Sequence, residues 1–173
     1  MQVEQNIFLI GFMGAGKSTI AKCLQNEFDM ELIEMDEQIV KEQGMSINDI
    51  FAEKGETAFR DIESELVRDI AKQKNKIVSC GGGVVVRPEN VANMKSSGKI
   101  IFLTATPETI LERVKGGKDR PLLNGHMNVE YIEQMMAKRM DLYEAAADYK
   151  IATDGKTRGE ICTEIVKLIS RGK

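Results

Sequence analysis

Nine residues, Gly11-Phe12-Met13-Gly14-Ala15-Gly16-Lys17-Ser18-Thr19, constrain this chain more than any other feature. They match the pattern G-x-x-x-x-G-K-[ST]. The short apolar run Ile7-Phe8-Leu9-Ile10 precedes them and reads as a strand buried on both faces. A helical stretch from about Lys17 to Phe28 follows, with Ile20, Cys23, Leu24 and Phe28 at helical spacing. Glycines let main-chain N–H groups curl into a concave nest, and the helix N-terminus adds unpaired donors and partial positive charge. The amides from Gly14 through Ala15, Gly16 and Lys17 to Ser18 therefore make a candidate phosphate cradle. Lys17 reaches toward β- and γ-phosphates, and the Ser18 hydroxyl is a candidate Mg²⁺ ligand. At ordinary residue frequencies a chance match over the whole chain is rarer than about 1%. The motif calls for a nucleotide without saying what the nucleotide is used for.

The rest of the chain alternates strands and helices. Apolar runs around Glu31–Met35, Ile77–Cys80, Ile100–Leu103 and Tyr149–Thr153 read as four more strands. Helical patterns over Pro88–Ser97, from Thr106, over Val129–Ala147 and over Arg158–Ser170 separate them. Residues 37–74 are charged and helical, with breaks at Gly44 and Gly55. Continuous apolar strands between helices imply an α/β chain with a parallel sheet covered on both faces. The 173 residues suffice for one domain and are short for two. Residues 37–74 are expected to form a helical substrate-binding segment, and about 113–127, rich in glycine and cations, a lid.

Composition excludes several functions. With 24 Lys plus Arg against 27 Asp plus Glu, a net charge of −3 argues against general nucleic-acid binding. One histidine, His126, rules out zinc hydrolysis of the H-E-x-x-H type. Three distant cysteines, Cys23, Cys80 and Cys162, make a disulfide framework or zinc knuckle improbable and fit a reducing cytoplasm. The chain shows no basic leader and no apolar segment of 18 residues, so the expectation is an intracellular protein without membrane contact.

Four further constellations surround the phosphate loop. Glu34-Met35-Asp36 sits where the second strand ends, at the sheet edge that binds ligands in open α/β folds. On an extended chain its two acids share one side, one facing Mg²⁺ and the other a substrate hydroxyl. Phe59-Arg60-Asp61-Ile62-Glu63 presents a guanidinium fork suited to a carboxylate, although the pattern alone favours a surface arginine paired with Glu56 or Glu63. Gly81-Gly82-Gly83 after the third strand admits a ligand or another backbone at close range. Ser79, just before it, is placed to hold a Mg²⁺-bound water. Arg113, Lys118 and Arg120, in or beside the lid, offer cations for transferring phosphate, with a solvated basic loop as the alternative. Arg139 stands one helical turn before Tyr143.

In this order, the G-x-x-G-x-G-K-S-T loop, the acid pair, F-R-x-x-E, G-G-G, D-R-P-L-L and R-x-x-x-Y-x-x-x-A resemble the shikimate kinase family, from Ile7 to about Ile169. The resemblance implies a three-layer P-loop kinase fold, with five parallel strands ordered 2-3-1-4-5. It implies ATP-dependent phosphorylation of the shikimate 3-hydroxyl, with one Mg²⁺ per site, in a cytoplasmic monomer. Lys17, Asp36 and Arg120 would then be catalytic. ATP would contact Gly14 through Thr19, Arg113 by stacking on adenine, and Arg120 from the lid. Shikimate would contact Asp36, the Arg60 and Arg139 carboxylate clamp, and Gly81, Gly82 and Gly83. Ser18 would ligate Mg²⁺. The family usually carries D-x-D where this chain has Glu34-Met35-Asp36, which makes Glu34 a Mg²⁺ group whose extra methylene alters its reach. The rival readings are a gluconate kinase on the same fold, a nucleoside monophosphate kinase, and a nucleotide-gated module that phosphorylates nothing.

Overall fold

A computed structural model describes residues 3–115 and 128–172. Its centre is a parallel sheet of β1 (Asn6–Ile10), β2 (Glu31–Glu34), β3 (Lys76–Ser79), β4 (Gly98–Thr104) and β5 (Tyr149–Ala152), in the spatial order β2-β3-β1-β4-β5. β1 is central, and every one of its residues is buried. The pleat divides the core in two. Ile7 and Leu9, with Ile101 and Leu103 of β4, pack on one face. Phe8 and Ile10, with Ile100 and Phe102, pack on the other. A strand that feeds two cores needs apolar residues at every position, which is why β1 reads as a continuous run.

The first face is covered by α1 (Lys17–Phe28), α5 (Pro107–Val114), the start of α6 (Val129–Ala146) and α7 (Arg158–Arg171). Cys23 and Cys162 lie in this layer and hydrogen bond to each other, and burial with that contact pushes the Cys162 thiol up to about 12. The second face carries α2 (Met35–Gln43), α3 (Ile47–Ala71), α4 (Pro88–Ser97) and the end of α6. Gly44 ends α2 in a left-handed cap at φ 65°. Gly55 breaks α3 with φ 85° and ψ 169°, so the charged segment is two helical arms around a bend, as its glycine spacing predicts.

Side-chain caps start α3 (Ser46), α5 (Thr106), α6 (Asn128) and α7 (Thr157). α1 has none: Gly16 occupies its N-cap at φ 98°, and no acid lies in its first turn. Its leading amides thus face the Gly11–Gly16 loop. Two details depart from expectation. A 3-10 turn, Val84–Val86, follows the three glycines. β2 stops at Glu34, and Met35 already opens α2, because Met35 and Ile39 recur at helical spacing and are both fully buried. No helix among the described residues is long and apolar enough to cross a membrane.

Candidate active site

The loop after β1 and the turn after β3 meet at the carboxyl end of the sheet. A cavity of about 680 Å³ opens there, lined by Met13 of the phosphate loop, Asp36, Phe59, Arg60, Glu63, the glycines 81–83 and Arg139. The loop after β1, the turn after β3, and α2, α3 and α6 thus converge on one space. Lys17 Nζ donates to the loop carbonyls of Gly11 at 2.5 Å and Phe12 at 3.3 Å, which holds the ammonium inside the curve of the loop.

The short β2 corrects the expected acid pair. Glu34 and Asp36 do not share one side of an extended chain, because Glu34 caps α2 and Asp36 lies in its first turn. They serve two different places. Glu34 Oε2 accepts from Ser18 Oγ at 2.9 Å, with Ser79 Oγ 3.4 Å from the same hydroxyl. Glu34 Oε1 is buried without a hydrogen-bond partner. Asp36 turns toward the glycines: a Cβ on Gly81 would sit 3.1 Å from Asp36 Oδ1 and 2.9 Å from Glu63 Oε2.

Arg60 makes both pairs that the sequence left open. Its Nη1 donates to Glu63 Oε1 at 2.9 Å, and its Nη2 lies 3.5 Å from Glu56 Oε1. The site is no solvated surface, however: Arg60 is 7% exposed and Glu63 1%. The guanidinium lies directly against Gly83, where any Cβ would collide with it. Arg60 Nε is buried and unpartnered. Burial raises the Glu63 carboxyl pKa; Arg60 pulls it down, Asp36 pushes it up, and the net shift is upward. Glu63 is the residue sequence reasoning undervalued. Its signal was the i, i+3 spacing from Arg60 on a helix.

Arg139 reaches the middle glycine, its Nη1 3.4 Å from the place a Gly82 Cβ would take. Arg113 belongs to the last turn of α5 and donates to Gly14 O at 3.0 Å and Thr153 Oγ1 at 3.1 Å, tying the phosphate loop to the end of β5. Cys80 adjoins the glycines but is buried among the site charges, and burial drives its thiol pKa far up, which leaves it unreactive. Lys118, Arg120 and His126 lie outside the described residues.

A phosphate loop behind the central strand of a 2-3-1-4-5 parallel sheet, sharing a cavity with acids and arginines, defines the class of P-loop kinases. Comparison with known proteins narrows it. The shikimate kinase family model matches residues 13–170. The shikimate kinase of Persephonella marina is 43% identical over 165 residues, 95% of this chain and 99% of that one. That of Thermodesulfovibrio yellowstonii is 41% identical, covering 96% of each chain. A solved shikimate kinase from Acinetobacter baumannii, in complex with shikimate, superposes with a TM-score of 0.94 at 29% identity, covering 99% of this chain and 96% of that one. The chain belongs to the shikimate kinase family. A gluconokinase from Sinorhizobium meliloti shares the fold alone, with a TM-score of 0.61 at 16% identity over 99% of this chain and 94% of that one.

Proposed function

We propose that this chain transfers the γ-phosphoryl group of ATP to the 3-hydroxyl of shikimate, giving shikimate 3-phosphate and ADP on the route to chorismate and the aromatic amino acids. The observation that carries the reading is the shared cavity, in which the phosphate loop, two arginines and Asp36 face one space. Phosphoryl transfer asks a protein for alignment and charge neutralisation more than for covalent help. The loop amides and Lys17 neutralise the phosphates. Arg60 lies against Gly83 and Arg139 against Gly82, and the two guanidinium groups clamp a carboxylate. Asp36, in the first turn of α2, aligns the attacking hydroxyl and accepts its proton late in a loose transition state. Gly82 presents its main chain to the substrate ring. Arg120, outside the described residues, is assigned to the ATP phosphates by its place in the D-R-P-L-L segment.

A magnesium ion fits the residues present. Among the described residues no cluster of three or more His, Cys, Asp or Glu is placed to hold a metal. Mg²⁺ instead keeps waters and phosphate oxygens and takes one or two protein ligands. Ser18 Oγ, with Ser79 Oγ beside it and the unpartnered Glu34 Oε1 behind it, makes such an oxygen face. Bound there, the ion would neutralise charge on the β- and γ-phosphate oxygens. We take the protein to work as a cytoplasmic monomer.

An assay coupled to ADP release tests the function. ADP release that depends on shikimate, with none from gluconate or a nucleoside monophosphate, is expected. Release driven by gluconate, or tight ATP binding with no acceptor at all, would overturn it.

A further inference from the structure

Tyr143 is 1% exposed, one helical turn beyond Arg139 on α6. Its ring stacks on Phe102 of β4, centroids 4.9 Å apart and planes 30° apart. Its hydroxyl is not spent on the core. The Oη–H donates to the carbonyl of Gly82, and the Arg139 guanidinium stands against the same glycine, its Nη1 3.4 Å from the place a Gly82 Cβ would take. A phenol that donates its one proton still has lone pairs, and the guanidinium charge acts on this oxygen. The result is one cluster of Arg139, Tyr143 O–H and Gly82 C=O that joins α6 to the turn after β3.

We infer that the Tyr143 hydroxyl is a positioning residue that sets the Arg139 fork and the Gly82 main chain in register with each other, so that carboxylate recognition and the glycine turn act as one rigid unit. The inference rests on the reading of Arg139 as half of the carboxylate clamp. Without the hydroxyl, Gly82 O loses its donor, and the Arg139 fork loses the oxygen beside it. An arginine stem carries large rotamer entropy, so a free fork binds a carboxylate less well. The hydroxyl bonds the Gly82 carbonyl, whereas the phosphate loop meets that glycine only at van der Waals range, Gly11 O and Met13 N lying 3.8 Å from where its Cβ would be, so the loss falls on shikimate binding rather than on the chemical step.

The test is Tyr143→Phe, which deletes the oxygen and keeps the ring on Phe102. Shikimate KM should rise about 10-fold, with kcat and the KM for ATP each within about 2-fold of the parent. The penalty should vanish with the methyl ester of shikimate, which offers Arg139 no charged carboxylate. It should also vanish when Tyr143→Phe is added to Arg139→Lys. Phe102→Leu, which disturbs the ring packing and leaves the hydroxyl in place, should lower Tm while shikimate KM stays within about 2-fold. Equal KM increases for shikimate and its ester, or a fall in kcat alone, would assign Tyr143 a packing role and overturn the inference. Unchanged shikimate KM in Tyr143→Phe, alongside a large increase in Arg139→Ala, would sink the inference and leave the clamp standing. If Arg139→Ala also left KM unchanged, the clamp reading would fall first and this one with it.

Discussion

Gly83→Ala probes the most crowded contact in the site. Gly83 has φ −99° and ψ 10°, a backbone conformation that alanine adopts without strain. On backbone grounds alone the change should stabilise the protein by about 0.4–1 kcal/mol, through a less flexible unfolded chain. The side chain reverses the sign. A Cβ at position 83 would lie under 3.0 Å from Nη1, Nη2 and Cζ of Arg60. Comfortable contact needs about 3.5 Å, so the guanidinium must retreat by at least about 0.5 Å. It has no cheap exit: its side chain is 8% exposed and Nη1 is pinned to Glu63, itself 1% exposed. Pulling the fork outward toward Glu56, which is 62% exposed, strips Glu63 of its counter-ion. Breaking a buried pair costs about 3–5 kcal/mol, so the net loss should be roughly 2–5 kcal/mol. Urea denaturation measures it. Displacing one arm of the clamp should also raise shikimate KM at least about 30-fold, with the KM for ATP unchanged. Gly82→Ala is the control for stability alone, because the nearest neighbour of its Cβ, Arg139 Nη1, would be 3.4 Å away, an ordinary contact. A Gly83→Ala protein as stable as its parent, with normal shikimate saturation, would refute the picture of Arg60 locked beneath the turn. Equal losses of stability in Gly82→Ala and Gly83→Ala would refute it as well.

Three further outcomes are expected. Asp36→Asn should lower kcat by about 10²–10⁴ and leave the Kd for ATP within about 2-fold in a nucleotide-binding titration; equal losses in both would remove Asp36 from the proton-accepting role. Glu34→Gln should raise the Mg²⁺ concentration needed for half-maximal activity several-fold, read from a magnesium titration, and leave shikimate KM untouched; a shift in shikimate KM instead would place Glu34 on the acceptor side. Glu63→Gln tests the buried carboxyl. Because burial raises its folded-state pKa above its ordinary value of 4.5, the wild-type carboxyl loses stability as pH rises from about 4.5 through that folded pKa, whereas glutamine does not titrate. The stability difference should therefore move in favour of Glu63→Gln as pH rises, and urea midpoints that keep a constant gap would contradict the assignment.

Much of this was legible in the chain. The phosphate loop announced itself because its chemistry depends on backbone conformation and consecutive residues, which a linear pattern records. The helix start at Thr106 and the glycine stops at 44 and 55 are local for the same reason. The sheet order matched the resemblance rather than any reading of propensity. The acid pair was misread because a strand end and a helix start compete over Met35, and burial of Met35 and Ile39 against the core decided for the helix. Glu63 looked like a helix-surface partner until the fold brought Gly81 and Asp36 against it. The sequence placed Tyr143 one helical turn after Arg139 and no more; its ring packs on Phe102, and its hydroxyl goes to Gly82.

What the sequence by itself determined is the phosphate cradle, the alternation of buried strands with capped helices, and the kit of charged groups around them. All of these follow from contacts within a few residues along the chain. Only the tertiary structure decided which of those groups face each other: that Arg60 is held beneath Gly83, that Glu34 goes to Ser18 while Asp36 goes to Gly81, and that Tyr143 joins Arg139 to Gly82. Those partners are 16 to 61 residues apart in sequence or come from different layers, so no local preference encodes them. They meet because parallel crossovers deliver every strand's carboxyl end to one edge of the sheet, and burying two apolar faces at once leaves that edge as the place where charged side chains must settle among themselves.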